Sequence, residues 1–257
     1  MRKITMKLAS ALPEPVVRLA LVLRTHALAL RNRKRPNSAI FSETYGSKTW
    51  GGDEGFFSGQ GSRAGHIVEP YVAVLGHELR ERFGGKATVV DLGCGDFAVG
   101  SRLTPHCRSY VGVDVVPELV QRLQDRHRSE RVRFEVADIT RDPLPRGDVC
   151  LIRQVFQHLS NQEILSVLIR LGGFKAVYVT EHLPIPERLS KPNLEKAHGP
   201  DIRLWRNSGV YLDQPPFGLP TAALSTVLEV PGSVPFARLH PGVVRTTRYE
   251  PTGGAPS

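Results

Sequence analysis

Cysteine is scarce in this chain, and the few cysteines present are poorly spaced for metal or disulfide chemistry. The 257 residues include Cys94, Cys107 and Cys150, with no C-x-x-C pair among them. Structural zinc sites and disulfide frameworks both depend on closely spaced or numerous cysteines. We therefore expect a protein of a reducing compartment, with no disulfide framework and no metal site.

Long apolar runs are also missing. The longest early run, "LALVL" at residues 19–23, lies between Arg18 and Arg24, whereas a membrane-spanning helix needs about 20 apolar residues. No secretory signal core is visible near Met1. The sequence predicts a cytoplasmic protein, with any membrane contact restricted to its surface.

Acidic residues are nearly absent from the first 35 positions. Residues 1–35 contain nine Lys or Arg and one acid, Glu14, so this segment carries +8 of the total net charge of +9 and the rest about +1. A nearly neutral body disfavours a groove that follows a phosphate backbone. No nucleic-acid partner is expected, although an RNA-binding protein or RNA-binding methyltransferase stays an alternative for so basic a chain.

The segment 1–36 is predicted to be a basic amphipathic leader. Its apolar residues fall near helical spacing between prolines that mark the start and the end. Such a helix either lies on an anionic membrane surface or covers the folded body, and a disordered tail is the third alternative. The apolar positions are Val16, Leu19, Leu23, Ala27 and Leu30.

The body, residues 37–250, alternates helix-like and strand-like segments. Strands are predicted at "ATVVDLG", "SYVGVDV", "VRFEVADI", "GDVCLIRQV" and "KAVYVTEH", with helices between them, including "FAVGSRL". A helix over residues 63–83 precedes them, and "STVLEVPG" and "GVVRTTRYE" predict an antiparallel pair at the edge. This order predicts an α/β fold with a mostly parallel sheet and helices on both faces. Residues 251–257 are predicted to be a flexible tail.

The stretch "VVDLGCGDFAVG" predicts a ligand-binding turn between a strand and a helix. Gly93 and Gly95 let a ligand approach the backbone there. The letters "GCGDFA" also match the G-x-G-x-x-G/A pattern of dinucleotide-binding proteins, so an NAD(P)-binding oxidoreductase stays an alternative. Asp91 would repel a diphosphate but suits an ammonium or a sulfonium, which favours S-adenosylmethionine. Asp96 is interpreted as the cap of a helix that begins at Phe97, with contact to the cofactor as the alternative.

Further acids follow the next two predicted strands. Asp114 is placed to accept hydrogen bonds from a ribose diol, and Asp138 to accept the adenine amino group with Ile139 beside the ring. The carboxyl ends of parallel strands meet at one edge of the sheet, where such folds bind ligands. The three acids are therefore predicted to form one row.

Four segments together resemble the class I S-adenosylmethionine-dependent methyltransferases: "VVDLGCGDFAVG", "YVGVDVVPELV", "RFEVADIT" and "DVCLIRQVFQHLSNQEI". The resemblance implies a Rossmann-like, seven-stranded sheet with an antiparallel C-terminal hairpin. The flanking "YGSKTWGGDEGFFSGQGS" and "NLEKAHGPDIRLWRNSGVYLDQPPF" resemble a bacterial subgroup acting on small molecules or glycans. The cofactor-binding residues predicted in all are Trp50, Asp91, Gly93, Cys94, Gly95, Asp114, Val115, Asp138, Ile139 and Arg153.

The methyl acceptor is predicted to meet residues that follow the fourth and fifth strands. "RQVFQHLS" offers Arg153 and His158 as catalytic candidates, with His158 either a general base for O-methylation or a structural histidine. Residues 183–220 are interpreted as a substrate-binding insertion, or alternatively as a solvated loop. The predicted substrate-binding residues are Glu181, His182, His198, Asp201 and Arg203.

The upstream segment around Trp50, Phe56 and Phe57 combines aromatic residues with glycines. Aromatic faces attract a sulfonium, and glycines permit a loop to close over a site. A lid over the cofactor is predicted there, with a glycine-rich loop that fills the edge of the core as the alternative.

Overall fold

The computed structural model describes residues 13–51, 55–232 and 241–251. The parts of the predicted leader and tail at residues 1–12 and 252–257 lie outside these ranges, as does part of the predicted lid at residues 52–54.

The described strands form a seven-stranded sheet in the order β3-β2-β1-β4-β5-β7-β6. Strands β1 to β5 run parallel, and β7 lies antiparallel between β5 and β6. The predicted α/β fold with an antiparallel C-terminal hairpin is confirmed. The strands are β1 Thr88–Leu92, β2 Ser109–Asp114, β3 Val132–Val136, β4 Val149–Arg153, β5 Ala176–Pro184, β6 Leu224–Pro231 and β7 Gly242–Tyr249.

Helices cover both faces of this sheet. Short 3-10 turns join several of the longer elements, among them Phe156–His158 and Arg203–Arg206. The α-helices are α1 Glu14–Asn32, α2 Asn37–Gly46, α3 Gln60–Arg63, α4 Gly65–Phe83, α5 Gly100–Leu103, α6 Pro117–His127 and α7 Asn161–Leu168.

Two apolar layers hold the helices to the sheet, because successive side chains of a strand point to opposite faces. Val89 packs in one layer with Leu75 of α4 and Leu119 of α6. Its neighbour Val90 packs in the other layer with Ile164 of α7. Every residue of β4 before Arg153 is buried, which explains why its sequence is a continuous apolar run.

Two helix predictions need correction at their starts. The helix predicted over residues 63–83 begins at Gly65, since Ala64 is extended and separates it from α3. The helix predicted from Phe97 begins only at Gly100, because Phe97 has a φ of +61° and the chain is still turning there. Asp96 is therefore not the cap of a helix at Phe97. Its Oδ1 accepts a hydrogen bond from the Ala98 amide at 3.2 Å, within the turn.

The part of the predicted leader that the structure describes is the helix α1. None of the described helices is long and apolar enough to cross a membrane. The helix lies against the segment between β5 and β6, where Arg24 Nη1 is 2.8 Å from Asp201 Oδ1. The same guanidinium stacks 5.0 Å above the ring of Trp205.

Candidate functional site

The glycine turn after β1 requires its glycines. Gly93 and Gly95 have φ values of +79° and +55°, in the left-handed region. A Cβ on Gly93 would lie 2.5 Å from Cγ2 of Val155, and a Cβ on Gly95 would lie 2.4 Å from Oγ of Ser58. The turn therefore packs so closely against β4 and the upstream segment that a side chain would open it.

The backbone amides of this turn are already used inside the protein. The amides of Gly93 and Cys94 donate to the carbonyl oxygen of Val113 at 2.8 and 2.9 Å. The amide of Gly95 donates to Oδ2 of Asp114 at 3.0 Å. A dinucleotide site of the G-x-G-x-x-G type needs such amides for its diphosphate. The turn thus does not suit the NAD(P) alternative.

A small cleft, with a cavity volume of about 50 Å³, opens between this turn, the ends of β1 and β4, and the upstream segment. Asp91 and Arg153, both predicted from the sequence, face the cleft together. The lining residues are Ser58, Ser62, Tyr71, Asp91, Gly93, Cys94, Gly95, Asp96, Val99, Gly100, Leu103, Tyr110, Leu151 and Arg153.

Asp91 is an acid buried among polar partners. The hydroxyl of Tyr110 donates to its Oδ2. Burial raises the pKa of Asp91 to about 6, while the bond from Tyr110 and the charge of Arg153 act in the opposite direction. At neutral pH the carboxylate is therefore mostly ionised, and it presents a negative charge in a poorly solvated place.

Arg153 ends β4 with one donor unused. Its Nη2 donates to the carbonyl oxygen of Ser62 at 3.1 Å, and its guanidinium lies 5.1 Å from the ring centre of Tyr71. Its buried Nε has no hydrogen-bond partner in the described part of the chain. Since an unpaired buried donor is costly, this nitrogen is suited to an anionic group that enters the cleft.

Asp114 supports the glycine turn from the end of β2. Its Oδ2 accepts from the amide of Gly95, and its Oδ1 accepts from the amide of Val116 at 3.1 Å. Burial raises the pKa of Asp114 to about 6. An ionised carboxylate offers about four lone-pair sites, and the amides of Gly95, Val116 and Val115 act on this one, so about one acceptor position remains for a ligand. Val115, beside it, is half-buried.

Asp138 lies two residues beyond β3, and its carboxylate is held by the next turn. Oδ1 accepts from the amide and the hydroxyl of Thr140 at 3.0 and 2.7 Å, and Oδ2 lies 3.0 Å from Nε of Arg141. Ile139 beside it is buried. Asp138 and Asp114 lie outside the lining of the cleft, at the ends of the next two strands.

Asn37, the first residue of α2, also reaches this acid and was not predicted. Its Nδ2 lies 3.4 Å from both oxygens of Asp138 and 3.1 Å from Oε1 of Glu163. Its Oδ1 is buried without a partner in the described residues. No local pattern could reveal this contact, because the partners are 101 and 126 positions away along the chain.

The upstream segment lies directly on the glycine turn. The amide of Ser58 donates to Oδ2 of Asp96, and the amide of Asp96 donates to Oγ of Ser58, both at 2.9 Å. Nη2 of Arg63 lies 2.9 Å from the same Asp96 oxygen. The segment thus covers the turn, as a closed lid would; its opening stays a prediction.

Trp50 belongs to an aromatic cluster beside the cleft rather than to its lining. Its ring centre is 5.1 Å from Tyr45, 5.9 Å from Phe41 and 5.2 Å from His158. The cluster connects the upstream segment, α2 and the turn after β4. The predicted contact of Trp50 with the cofactor stays a prediction.

His158 is a neutral imidazole in this structure. Burial, and next the charge of Lys196, lower its pKa to about 3. Lys196 Nζ donates to the carbonyl oxygen of His158 at 3.2 Å, and the same oxygen accepts from the amide of Gly199. The residue thereby joins the turn after β4 to the insertion. Whether it is a base or structural stays a prediction.

The predicted substrate residues of β5 point into the protein. Both carboxylate oxygens of Glu181 accept from backbone amides, those of Phe156 and Gln157, at 2.9 and 3.1 Å. Burial raises the pKa of Glu181, against these donors and the nearby Arg203. His182 is 4% exposed, and burial lowers its pKa to about 4.

The predicted substrate residues of the insertion are likewise occupied. Arg203 donates to the carbonyl of Phe156 at 2.9 Å and to Oδ1 of Asn161 at 2.8 Å. His198 Nδ1 lies 2.8 Å from Oε1 of Glu163, and its Nε2 lies 3.0 Å from the carbonyl oxygen of Asn32. With Asp201 held by Arg24, these side chains anchor the insertion. Contact with substrate stays a prediction.

Comparison with known proteins identifies the domain. Residues 89–172 match the family described as "Methyltransferase domain". This segment therefore matches methyltransferases, in agreement with the resemblance seen in the sequence. The buried acids and the unpartnered Nε of Arg153 fit S-adenosylmethionine, the cofactor that this resemblance implies. Among the described residues, no cluster of three or more potential metal ligands occurs.

Solved structures of methyltransferases share this fold. The N-methyltransferase NodS of Bradyrhizobium japonicum, in complex with S-adenosylhomocysteine, has a TM-score of 0.54 and 16% identity, over 81% of this chain and 98% of that chain. The magnesium protoporphyrin IX methyltransferase of Synechocystis, with bound S-adenosylmethionine, has a TM-score of 0.50 and 17% identity, over 84% and 98%. No curated protein sequence matches the chain.

Proposed function

We propose that this methyltransferase acts on a small molecule or glycan and that the acceptor atom is a hydroxyl oxygen. We infer a small acceptor from the segments that cover the cleft. The upstream segment is bonded to the glycine turn through Ser58 and Asp96, and α2 reaches the end of β3 through Asn37. A small acceptor fits such a covered edge better than a nucleic acid. The low net charge of the chain after residue 35 also disfavours a nucleic acid.

Charged groups would hold the amino-acid end of the cofactor, and the acids that follow the next two strands would hold its nucleoside end. Asp91 is placed for the ammonium group and the free Nε of Arg153 for the carboxylate. Asp114 would accept from the ribose, and Asp138 would face the adenine amino group, with Val115 and Ile139 beside the ring. The backbone of Gly93, Cys94 and Gly95 forms the floor, and Trp50 borders the methyl side.

When bound, S-adenosylmethionine supplies an electrophilic methyl group on a sulfonium. The protein's contribution is then to align the acceptor with that methyl group and to exclude water. Gln154 is suited to hold an acceptor. Its buried Nε2 has no partner among the described residues, and its φ of +56° is a strain that functional sites often retain.

His158 would receive the hydroxyl proton as the oxygen–carbon bond forms and the carbon–sulfur bond breaks. Its low pKa keeps the imidazole neutral and able to accept a proton at any physiological pH, but it also makes the imidazole a weak base. Positioning would therefore account for most of the rate.

The same low pKa favours a second candidate, N-methylation. A neutral amine attacks without prior loss of a proton, so it needs no strong base. The N-methyltransferase NodS has a similar fold, which makes an amine acceptor a reasonable second class to test.

The test is methyl transfer from ¹³C-methyl-labelled S-adenosylmethionine to panels of sugars, phenols, amines and RNA, with NMR of the product. Proposed O-methylation predicts an O–CH₃ signal, and His158→Gln should lower kcat by about 100-fold without changing the affinity for S-adenosylhomocysteine. His66→Gln, at an exposed histidine of α4, is the control. An N–CH₃ signal with an unaffected His158→Gln variant would establish N-methylation instead, and a labelled RNA would refute the proposal.

A further inference from the structure

Helix α1 has two apolar faces, and one of them points away from the protein. Val17 packs inward and is 5% exposed, whereas Leu19, Leu23 and Leu30 are 61%, 61% and 77% exposed. Val16 is 48% exposed and continues the same row. The predicted apolar face of the leader therefore exists, but the opposite side of the helix covers the body.

The helix is held in place rather than left to fray. Asn32 at its end is 2% exposed, and its carbonyl oxygen lies 3.0 Å from Nε2 of His198. In the middle, Arg24 is bonded to Asp201 and stacked on Trp205. The outward row, defined as Val16, Leu19, Leu23 and Leu30, is thus a fixed feature of the folded surface.

The surroundings of the outward row are positively charged. Residues 15–42 contain six Lys or Arg and no Asp or Glu. At about 100° per residue, His26 and Arg31 lie on opposite sides of the row. Arg33 and Lys34 are exposed just beyond the end of the helix. Arg31 is paired with Glu43, so the charge available to a partner comes chiefly from Arg33 and Lys34.

We propose that α1 lies on an anionic lipid surface, with the outward row among the acyl chains and Arg33 and Lys34 at the headgroups. An apolar stripe with basic flanks is the pattern of helices that lie in the membrane interface. A second copy of this chain is a poorer partner, because it would bring two segments of the same strong charge together. The inference is independent of which acceptor is methylated.

The test is cosedimentation of the full-length protein with vesicles. Partition into vesicles with about one-third phosphatidylglycerol should exceed partition into pure phosphatidylcholine by at least tenfold and should fall as salt is raised. The triple variant Leu19→Gln, Leu23→Gln, Leu30→Gln should lose at least tenfold of this binding, and Arg33→Gln with Lys34→Gln several-fold. Ile169→Gln is the matched control, since Ile169 is 65% exposed and lies elsewhere, after α7.

Circular dichroism must show that each variant is folded. The proposal is overturned if the wild-type protein ignores anionic vesicles, or if the triple variant binds them as the wild type does. Sedimentation velocity without lipid tests whether a second copy of the chain covers the outward row. If the wild type is a dimer and the triple variant a monomer, the row is a dimer interface and the proposal is overturned.

Discussion

The carboxyl edge of the sheet and the insertion between β5 and β6 were both predicted to present polar side chains to a ligand, but they differ in what those side chains do. At the edge, Arg153 Nε and Gln154 Nε2 are buried without partners in the described chain. In the insertion, Arg203 bonds to Phe156, Asn161 and Leu194. The edge thus keeps these donors available, whereas in the insertion Oδ2 of Asp201 is the one buried polar side-chain atom without a partner among the described residues.

The difference follows from how the backbone amides and carbonyls of each region are hydrogen-bonded. The strands around the edge bond their own amides and carbonyls, so the donors of Arg153 and Gln154 after β4 remain free for a ligand, although Asp114 also supports the glycine turn. A long irregular segment has no such ladder, and its buried carbonyls and amides must be met by side chains. Asn193 shows this, since its Nδ2 donates to the carbonyls of Tyr211, Gln214 and Pro215.

The largest expected effect comes from removing Asp114, which serves both the turn and the proposed ribose site. Asp114→Ala should weaken binding of S-adenosylhomocysteine by about 100-fold, or about 2.7 kcal/mol, measured by isothermal titration calorimetry. Asp148→Ala is the matched control, because Asp148 also accepts a backbone amide, that of Thr88, but at the opposite end of β1. Equal affinities for the two variants would show that an acid at the carboxyl edge of the sheet has no specific part in binding S-adenosylhomocysteine.

A smaller loss is expected from Gly93→Ala. The new Cβ would require a left-handed alanine, at about 1–2 kcal/mol, and would press on Val155, so affinity for S-adenosylhomocysteine should fall at least tenfold. Gly172→Ala is the control, since a Cβ there meets no atom within 4 Å. An unchanged affinity for Gly93→Ala would mean that the turn is not part of the cofactor site.

Burial of His182 should make the free energy of unfolding sensitive to acid. The folded pKa of His182 is lowered to about 4 from 6.5, so its contribution to stability is present above pH 6.5 and is lost as pH falls towards 4. The slope approaches about 1.4 kcal/mol per pH unit per residue.

Urea unfolding between pH 7 and pH 4.5 measures this slope. His182→Gln should reduce the loss of the free energy of unfolding with acid relative to the wild type. A slope unaffected by His182→Gln would argue that His182 is accessible to water, as a ligand-facing residue would be.

The smallest effect concerns Trp50, at the border between the two regions. If its ring faces the sulfonium, Trp50→Ala should raise the dissociation constant of S-adenosylmethionine by about two- to fivefold and leave that of S-adenosylhomocysteine, which lacks the sulfonium charge, nearly unchanged. Trp205→Ala, which removes the ring stacked under Arg24, is the control. Equal behaviour of Trp50→Ala and wild type towards S-adenosylmethionine eliminates a direct contact.

The sheet and the position of the three acids along one edge of it were predictable from local patterns. Strand periodicity and the positions of Asp91, Asp114 and Asp138 depend on short stretches, and parallel strands necessarily bring their carboxyl ends together. The start of α5 was misplaced because a left-handed Phe97 leaves no trace in a helix-like sequence. Asn37 was missed because its partners are distant in sequence. The apolar side of α1 was predicted, but helical spacing could not decide whether it meets the body or faces outward.

A crystal structure with S-adenosylhomocysteine tests the central assignment most directly. The account predicts the amino group of the ligand beside Asp91, its carboxylate within hydrogen-bond distance of Nε of Arg153, and its ribose at Asp114. A ligand bound with its amino-acid end away from Asp91 and Arg153, or an empty cleft at saturating concentration, would contradict it.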